Sequence, residues 1–290
     1  MDSWTRVGVD GSPASYRALD WAADRVAVRG GGLEALCAVD LKVISAIYGS
    51  EFDPVSIASD VLAEARRRVE ARQPRVVVKT RWVDGRPARE LVRGTKAYDL
   101  IVVGTDKLPE VNAPRVGTLP LKVAARAECV VAVIPAFDPE GRSGVIAGVD
   151  LTSRAHSALS LALVEATWLK TQVHAVHAWG VPEMLERDVL VGAEPEPTFP
   201  KSSFDFLHEA IREVADGGDE SIVLEVVRQN PSLALIERAR TAQLLVVSTR
   251  GRGKVASTVL GSVCHDVLQN IASPVMVVGT RYDPTASHVT

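Results

Sequence analysis

Val7-Gly8-Val9-Asp10 is written a second time, with one substitution, as Ala147-Gly148-Val149-Asp150, 140 residues further on. Farther along, Asp99-Leu100-Ile101-Val102-Val103-Gly104 corresponds to Gln243-Leu244-Leu245-Val246-Val247-Ser248 at an offset of 144. Val130-Val131-Ala132-Val133 matches Pro274-Val275-Met276-Val277, and Gly117-Thr118 matches Gly261-Ser262, at the same second offset. One small insertion in the second copy, before its third strand, accounts for the change. Self-similarity at so long a period marks a duplicated domain and not a solenoid. The join is the polar, turn-rich 138–144 segment, Asp-Pro-Glu-Gly-Arg-Ser-Gly. We therefore expect two domains, 1–140 and 141–290.

Each copy alternates short β-branched runs with helical stretches. In the first copy the strands are expected near 6–9, 33–39, 76–83, 100–103 and 130–134. Continuous apolar runs of this kind belong to strands covered on both faces. Ser12-Pro13 opens the first helix as N-cap and first-turn proline, Ala18, Leu19, Ala22 and Val26 supply its apolar face, and Gly30-Gly31-Gly32 ends it. Five strands alternating with helices predict an α/β fold: two tandem doubly wound domains, each a parallel sheet with right-handed crossovers and helices on both faces.

Composition narrows the function. The 290 residues are 47% hydrophobic and 24% charged, enough for two cores. Aromatic residues are only 5%, which leaves the core to Val, Ala, Leu and Ile. A net charge of -3 argues against a nucleic-acid partner. No apolar run approaches the roughly 18 residues of a spanning helix, so no membrane partner is expected. Met1-Asp2-Ser3-Trp4 lacks a basic region followed by an apolar stretch, so no secretory leader is expected. Cys37, Cys129 and Cys264 are odd in number and far apart, which suits a reducing cytoplasm.

Ligands of doubly wound sheets sit beyond the carboxyl ends of the strands, where strand order reverses. Two features fall there. One is the aspartate that ends the first strand, Asp10 and Asp150. The other is the loop after the fourth strand. In the second copy it reads Ser248-Thr249-Arg250-Gly251-Arg252-Gly253-Lys254, followed by Gly261-Ser262. Glycines let backbone N–H groups approach an anion, Ser262 adds a hydroxyl near a helix N-terminus, and Arg250, Arg252 and Lys254 supply positive charge. The competing readings are a solvated turn for the loop and a helix cap for each aspartate.

Other motifs fail. Gly251 to Ala256 fits G-x-G-x-x-A, but it follows the fourth strand and Asp266 comes too early for the acidic partner. A P-loop fails at Ser248 and at Val255. Cys264-His265-Asp266 cannot converge as a triad, because consecutive helix residues point about 100° apart. His174 and His177 fall on opposite faces of a strand, so packing and not metal binding is expected of them. No metal site and no catalytic set is assigned.

The spacing Ser248-x-x-Gly251, nine residues, Gly261-Ser262 resembles the universal stress protein family, in tandem form. The family pattern has glycine where Ser248 stands. The resemblance covers nearly the whole chain, twice, and implies five strands per domain ordered 3-2-1-4-5. It implies ATP binding, with magnesium, in which Asp150 meets the ribose or metal side and Ala178 offers backbone hydrogen bonds to adenine. Ser248, Arg250, Gly251, Arg252, Gly253, Gly261, Ser262 and Val263 then line ribose and phosphates. In the first copy the corresponding positions are Asp10, Val39 on the adenine side, Gly104, Gly117 and Thr118. There Lys107 replaces the second glycine, Asp106 stands where the second copy has Arg250, and Pro109 stands for Gly253. We therefore expect nucleotide mainly in the second domain.

The resemblance implies that the final strands, 130–134 and 275–278, meet in an internal pseudo-dimer, and that chains associate as a homodimer. The segment 181–206 is expected to loop over the second site. The leading function is an ATP-binding stress-response regulator with little or no hydrolysis, not an enzyme. A weak ATPase and a non-nucleotide interaction module with vestigial loops stay open. The protein partner is unknown.

Overall fold

The computed structural model describes residues 3–48, 52–95, 100–106, 118–152, 154–180, 199–215, 222–249 and 260–279. The first half runs β1 (Trp4–Gly8), α1 (Pro13–Arg29), β2 (Gly32–Val39), α2 (Leu41–Tyr48), α3 (Pro54–Arg72), β3 (Val77–Asp84), α4 (Pro87–Val92), β4 (Leu100–Gly104), α5 (Thr118–Ala124) and β5 (Val130–Ile134). The second runs β6 (Val145–Gly148), α6 (Arg154–Leu169), β7 (Val173–Trp179), α7 (Lys201–Val214), β8 (Ile222–Arg228), α8 (Pro231–Ala239), β9 (Leu244–Ser248), α9 (Ser262–Gln269) and β10 (Val275–Val278).

Local chemistry explains the helix ends. Ser12 Oγ accepts the Ser15 N–H at 3.2 Å, Pro13 opens α1, and Gly30, at φ 80°, closes it. Asp53 and Asn230 cap α3 and α8 in the same way. The strands are apolar on both sides because both sides are covered. Helices α1, α3, α6 and α7 pack on one face of the sheet, around Leu19, Ala35, Leu159 and Leu207. Residues of α4, α8 and α9, with Val123 and Ala124 of α5, pack on the other, around Leu91, Ile101, Leu245 and Leu268.

The ten strands form one sheet in the order β3-β2-β1-β4-β5-β10-β9-β6-β7-β8. Within each half neighbours are parallel, and the first strand of each half lies between the second and the fourth. The halves join where β5 and β10 pair antiparallel, with Ala132 opposite Met276. Those two positions are 144 apart and equivalent in the repeat, so a pseudo-twofold axis passes between them.

Across this axis α1 meets α6. Glu165 of α6 accepts from Arg25 Nη2 at 2.7 Å and from Arg29 Nη1 at 2.5 Å, with its side chain 5% exposed. The Arg29 guanidinium also lies over the Trp168 ring.

Candidate functional site

At the carboxyl ends of β6, β7 and β9 a cavity of about 150 Å³ opens. Gly148, Val149 and Asp150 enter it from β6 and the turn beyond, and Val176 to Ala178 from β7. Val247 and Ser248 end β9 there, and α8 contributes Pro231 and Leu235. Gly261, Val263 and Cys264 close it from the start of α9.

Most of the walls are apolar, so the polar groups are few and identifiable. Thr152 Oγ1 donates to the Asp150 carboxylate, which fixes its orientation. His177 Nδ1 lies 2.9 Å from the Val149 carbonyl oxygen. Its N–H therefore donates there, and in the neutral ring Nε2 is the acceptor. Phe199 packs on the His177 ring at 5.3 Å and on Trp179 at 5.6 Å. At α9 the N-cap is Gly261, and among the described residues no side chain caps the end. The first-turn N–H groups there have no intrahelical acceptor, and such an end favours an anion. Burial pushes the Cys264 thiol up to about 12, so it is a wall and not a thiolate nucleophile.

Of the residues singled out in the sequence, Asp150, Ala178, Ser248, Gly261 and Val263 come together on this one cavity. Ser262 is the first residue of α9, beside it. Arg250, Gly251, Arg252 and Gly253 lie outside the described residues, as do Gly117 and most of the 181–206 segment. The sequence reading gave His177 and Cys264 only packing roles, and it missed Pro231 and Leu235. Their signal was faint: Asn230-Pro231 marks a helix start, and positions 231 and 235 share a helix face.

The first half differs. Asp10 follows β1, Gly104 ends β4 and Thr118 opens α5. The expected equivalence of Val39 with Ala178 does not hold. Val9 N–H bonds Leu36 O as Val149 N–H bonds Val176 O, and Gly85 N–H bonds Val39 O as Gln229 N–H bonds Trp179 O. Ala38 is thus the counterpart of Ala178, and Val39 that of Trp179. The one-residue shift matters because side chains alternate faces along a strand.

The first half is also closed more tightly. A Cβ on Gly104 would stand 2.0 Å from the Ala14 carbonyl oxygen of α1. Arg17 of α1 donates to Thr105 O and to the Asp106 carboxylate, both at 3.1 Å. The loop carboxylate thus holds a helix cation, where the second half has Arg250 in the loop and Ser157 on the helix.

Asp10 carries a pH signature. Partial burial pushes its carboxyl up, but the Ser12 hydroxyl and N–H, with smaller help from Ser15, outweigh this and hold it below the ordinary 3.8. A carboxyl depressed in the folded state adds stability above its unfolded value and loses it as pH falls through the folded one. Acid unfolding below pH 3.8 is therefore expected to be shallower in Asp10→Asn than in the parent, by urea denaturation at stepped pH.

Comparison with known proteins decides the family. The model of the Universal stress protein family matches twice, at residues 6–135 and 143–279. The chain belongs to the universal stress protein family. Universal stress protein Rv2005c of Mycobacterium tuberculosis is 27% identical over 284 residues, covering 93% of this chain and 95% of that one. Universal stress protein Rv2623 of the same organism is 28% identical over 289 residues, covering 93% and 94%. Among solved structures, a universal stress protein from Archaeoglobus fulgidus superposes with TM-score 0.71 at 17% identity, covering 96% of this chain and 98% of that one. The cytoplasmic domain of a prokaryotic cation chloride cotransporter shares the fold at TM-score 0.52 and 12% identity, covering all of both chains. A fold carried by a stress protein and by part of a transporter does not itself fix a function. Among the described residues no helix of this family member is long and apolar enough to cross a membrane, and no three metal-ligating side chains converge.

Proposed function

We propose that this universal stress protein is an ATP-binding stress-response regulator whose second half holds the nucleotide. The observation that carries this reading is the start of α9 at Gly261, which no side chain among the described residues caps, on the cavity that Asp150, Ala178 and Ser248 also line. Adenine fits the apolar wall beside Ala178, whose backbone can hydrogen-bond it, and Asp150 can accept from ribose hydroxyls. The phosphates fit the helix start. A cavity of about 150 Å³ is smaller than a whole nucleotide site, so it holds only part of the ligand. Magnesium would take Asp150 as one oxygen ligand and phosphate and water as the others.

The first half is proposed to bind nucleotide weakly. Helix α1 lies against Gly104, and Asp106, which repels phosphate, occupies a loop position that is cationic in the second half. His177, on the same cavity, is held by the Val149 carbonyl and packed on Phe199, and it is read as a wall and not as a general base. The protein is therefore read as a binder with little or no hydrolysis.

Calorimetric titration with Mg-ATP, alongside native mass spectrometry, tests this. One equivalent per chain is expected. Asp150→Ala is expected to weaken binding about 10- to 100-fold, or about 1.4–2.7 kcal/mol, and Asp10→Ala to leave it unchanged. Two equal sites would overturn the asymmetry, and absence of adenine-nucleotide binding by folded protein would leave an interaction module. ATP turnover abolished by Asp150→Ala would instead establish a weak ATPase.

A further inference from the structure

Among the described residues the ten-stranded sheet ends at β3 and at β8, related by the pseudo-twofold axis. Their chemistry is opposite. From Glu64 to Arg93 the sequence carries ten Lys or Arg against four Asp or Glu. The equivalent stretch 144 later, His208 to Glu237, carries two against seven. The reversal reaches the edge strands themselves, since Arg81 on β3 pairs in register with Leu36, as Glu225 on β8 does with Val176. Those β2 and β7 positions are themselves equivalent, so Arg81 and Glu225 occupy the same place at opposite ends.

We propose that the β3 end of one chain docks on the β8 end of a second copy, joining their sheets edge to edge. An edge strand presents unpaired N–H and C=O groups to a new strand. The halves run antiparallel to each other, so chains repeated head to tail bring β3 and β8 together antiparallel, as β5 and β10 already are. The basic end offers more than charge. Between α3 and the free edge of β3 lies a groove of about 700 Å³, lined by Leu62, Ala63, Arg66, Arg67, Thr80 and Trp82 among others. Arg66, Arg67 and Arg81 have side chains 45%, 73% and 49% exposed. On the opposite end Glu209, Glu213 and Glu225 are 55%, 58% and 42% exposed. Exposed apolar side chains accompany both, Val77 and Trp82 at one end and Val223 at the other.

Edge charges also serve simply to keep sheets apart. Like charge at both ends does that best, whereas opposite charge attracts. Arg81 and Glu225 already hold internal partners, Glu34 and Arg238, so the attraction comes from the surrounding excess of each sign. The chain uses the same device once internally: positions 25 and 165 are equivalent at an offset of 140, and there Arg25 meets Glu165. A twofold dimer through either free end would set like charges together, so the contact is heterologous. Each added copy leaves one basic and one acidic end, and growth continues or closes as a ring.

This proposal does not depend on the nucleotide reading, and sedimentation of the full chain tests it. At about 0.01 M salt the average mass is expected to rise with concentration past that of two chains. At about 1 M, where the screening length falls from about 30 Å to about 3 Å, it is expected to return to one. Arg67→Glu with Arg81→Glu cuts the basic excess at the β3 end from six to two, and Glu209→Lys with Glu213→Lys cuts the acidic excess at the β8 end from five to one. Neither variant is expected to associate alone, and an equimolar mixture is expected to regain assembly. A chain that stays at single-chain mass at low salt overturns the proposal, as does either double variant that associates like the parent. Thermal melts identify a variant that has not folded, and the salt response of the parent then decides alone.

Discussion

Glu165→Leu is expected to destabilise the protein by about 3–5 kcal/mol, with a urea midpoint lowered accordingly. The replacement keeps the volume and removes the charge. Arg25 and Arg29 then remain, 19% and 14% exposed, facing each other with no carboxylate between them. Removing one partner of a buried pair costs more than the pair is worth, because the orphaned charge stays desolvated. Here one carboxylate serves two guanidiniums, so both are orphaned. Adding Arg25→Leu to Glu165→Leu is expected to recover part of the loss, and a double-mutant cycle reads the coupling. A single variant within about 1 kcal/mol of the parent would mean that the two halves do not meet through this carboxylate.

Gly104→Ala is expected to cost about 3 kcal/mol, at the upper end of ordinary overpacking. The new Cβ would stand 2.0 Å from a backbone oxygen, that of Ala14, so no side-chain rotation relieves it and α1 has to move. The equivalent position in the second half is Ser248, which already carries a Cβ at the mouth of the cavity. Ser248→Gly is therefore expected to cost about 1 kcal/mol or less, mainly through backbone entropy. Equal effects of the two substitutions, measured by urea denaturation, would contradict the unequal closure of the two clefts. This contrast also isolates fold from ligand: Gly104→Ala is expected to leave ATP affinity in the second half unchanged where the protein is folded.

How far the sequence reaches depends on the range of the interaction. Leu100 to Val103 and Val130 to Ile134 announce strands because continuous β-branched and aliphatic runs suit a sheet covered on both faces. Ser12 and Gly30 announce helix ends because capping acts within a few residues. Asp150, Ser248 and Gly261 announced the cavity for a similar reason: they stand at strand and helix ends, where a doubly wound sheet places its ligands. Leu235 and Pro231 gave no comparable signal, since they become walls only when α8 packs over β6 and β7. Val39 shows the limit most directly. A one-residue error in aligning β2 with β7 is invisible in a run of small apolar residues, yet it exchanges the two faces of the strand.

The sequence alone determined that one α/β unit is written twice, and that the second copy keeps a glycine- and arginine-rich loop which the first has lost. Periodicity, caps and turn residues act locally, so these features are legible without coordinates. Only the tertiary structure decided which residues meet across the pseudo-twofold axis: Ala132 with Met276, Arg25 with Glu165. It also decided that α1 closes on Gly104, and that β3 and β8 stand at the two ends of one continuous sheet. Such contacts join residues ninety or more positions apart, and packing, not local preference, selects them.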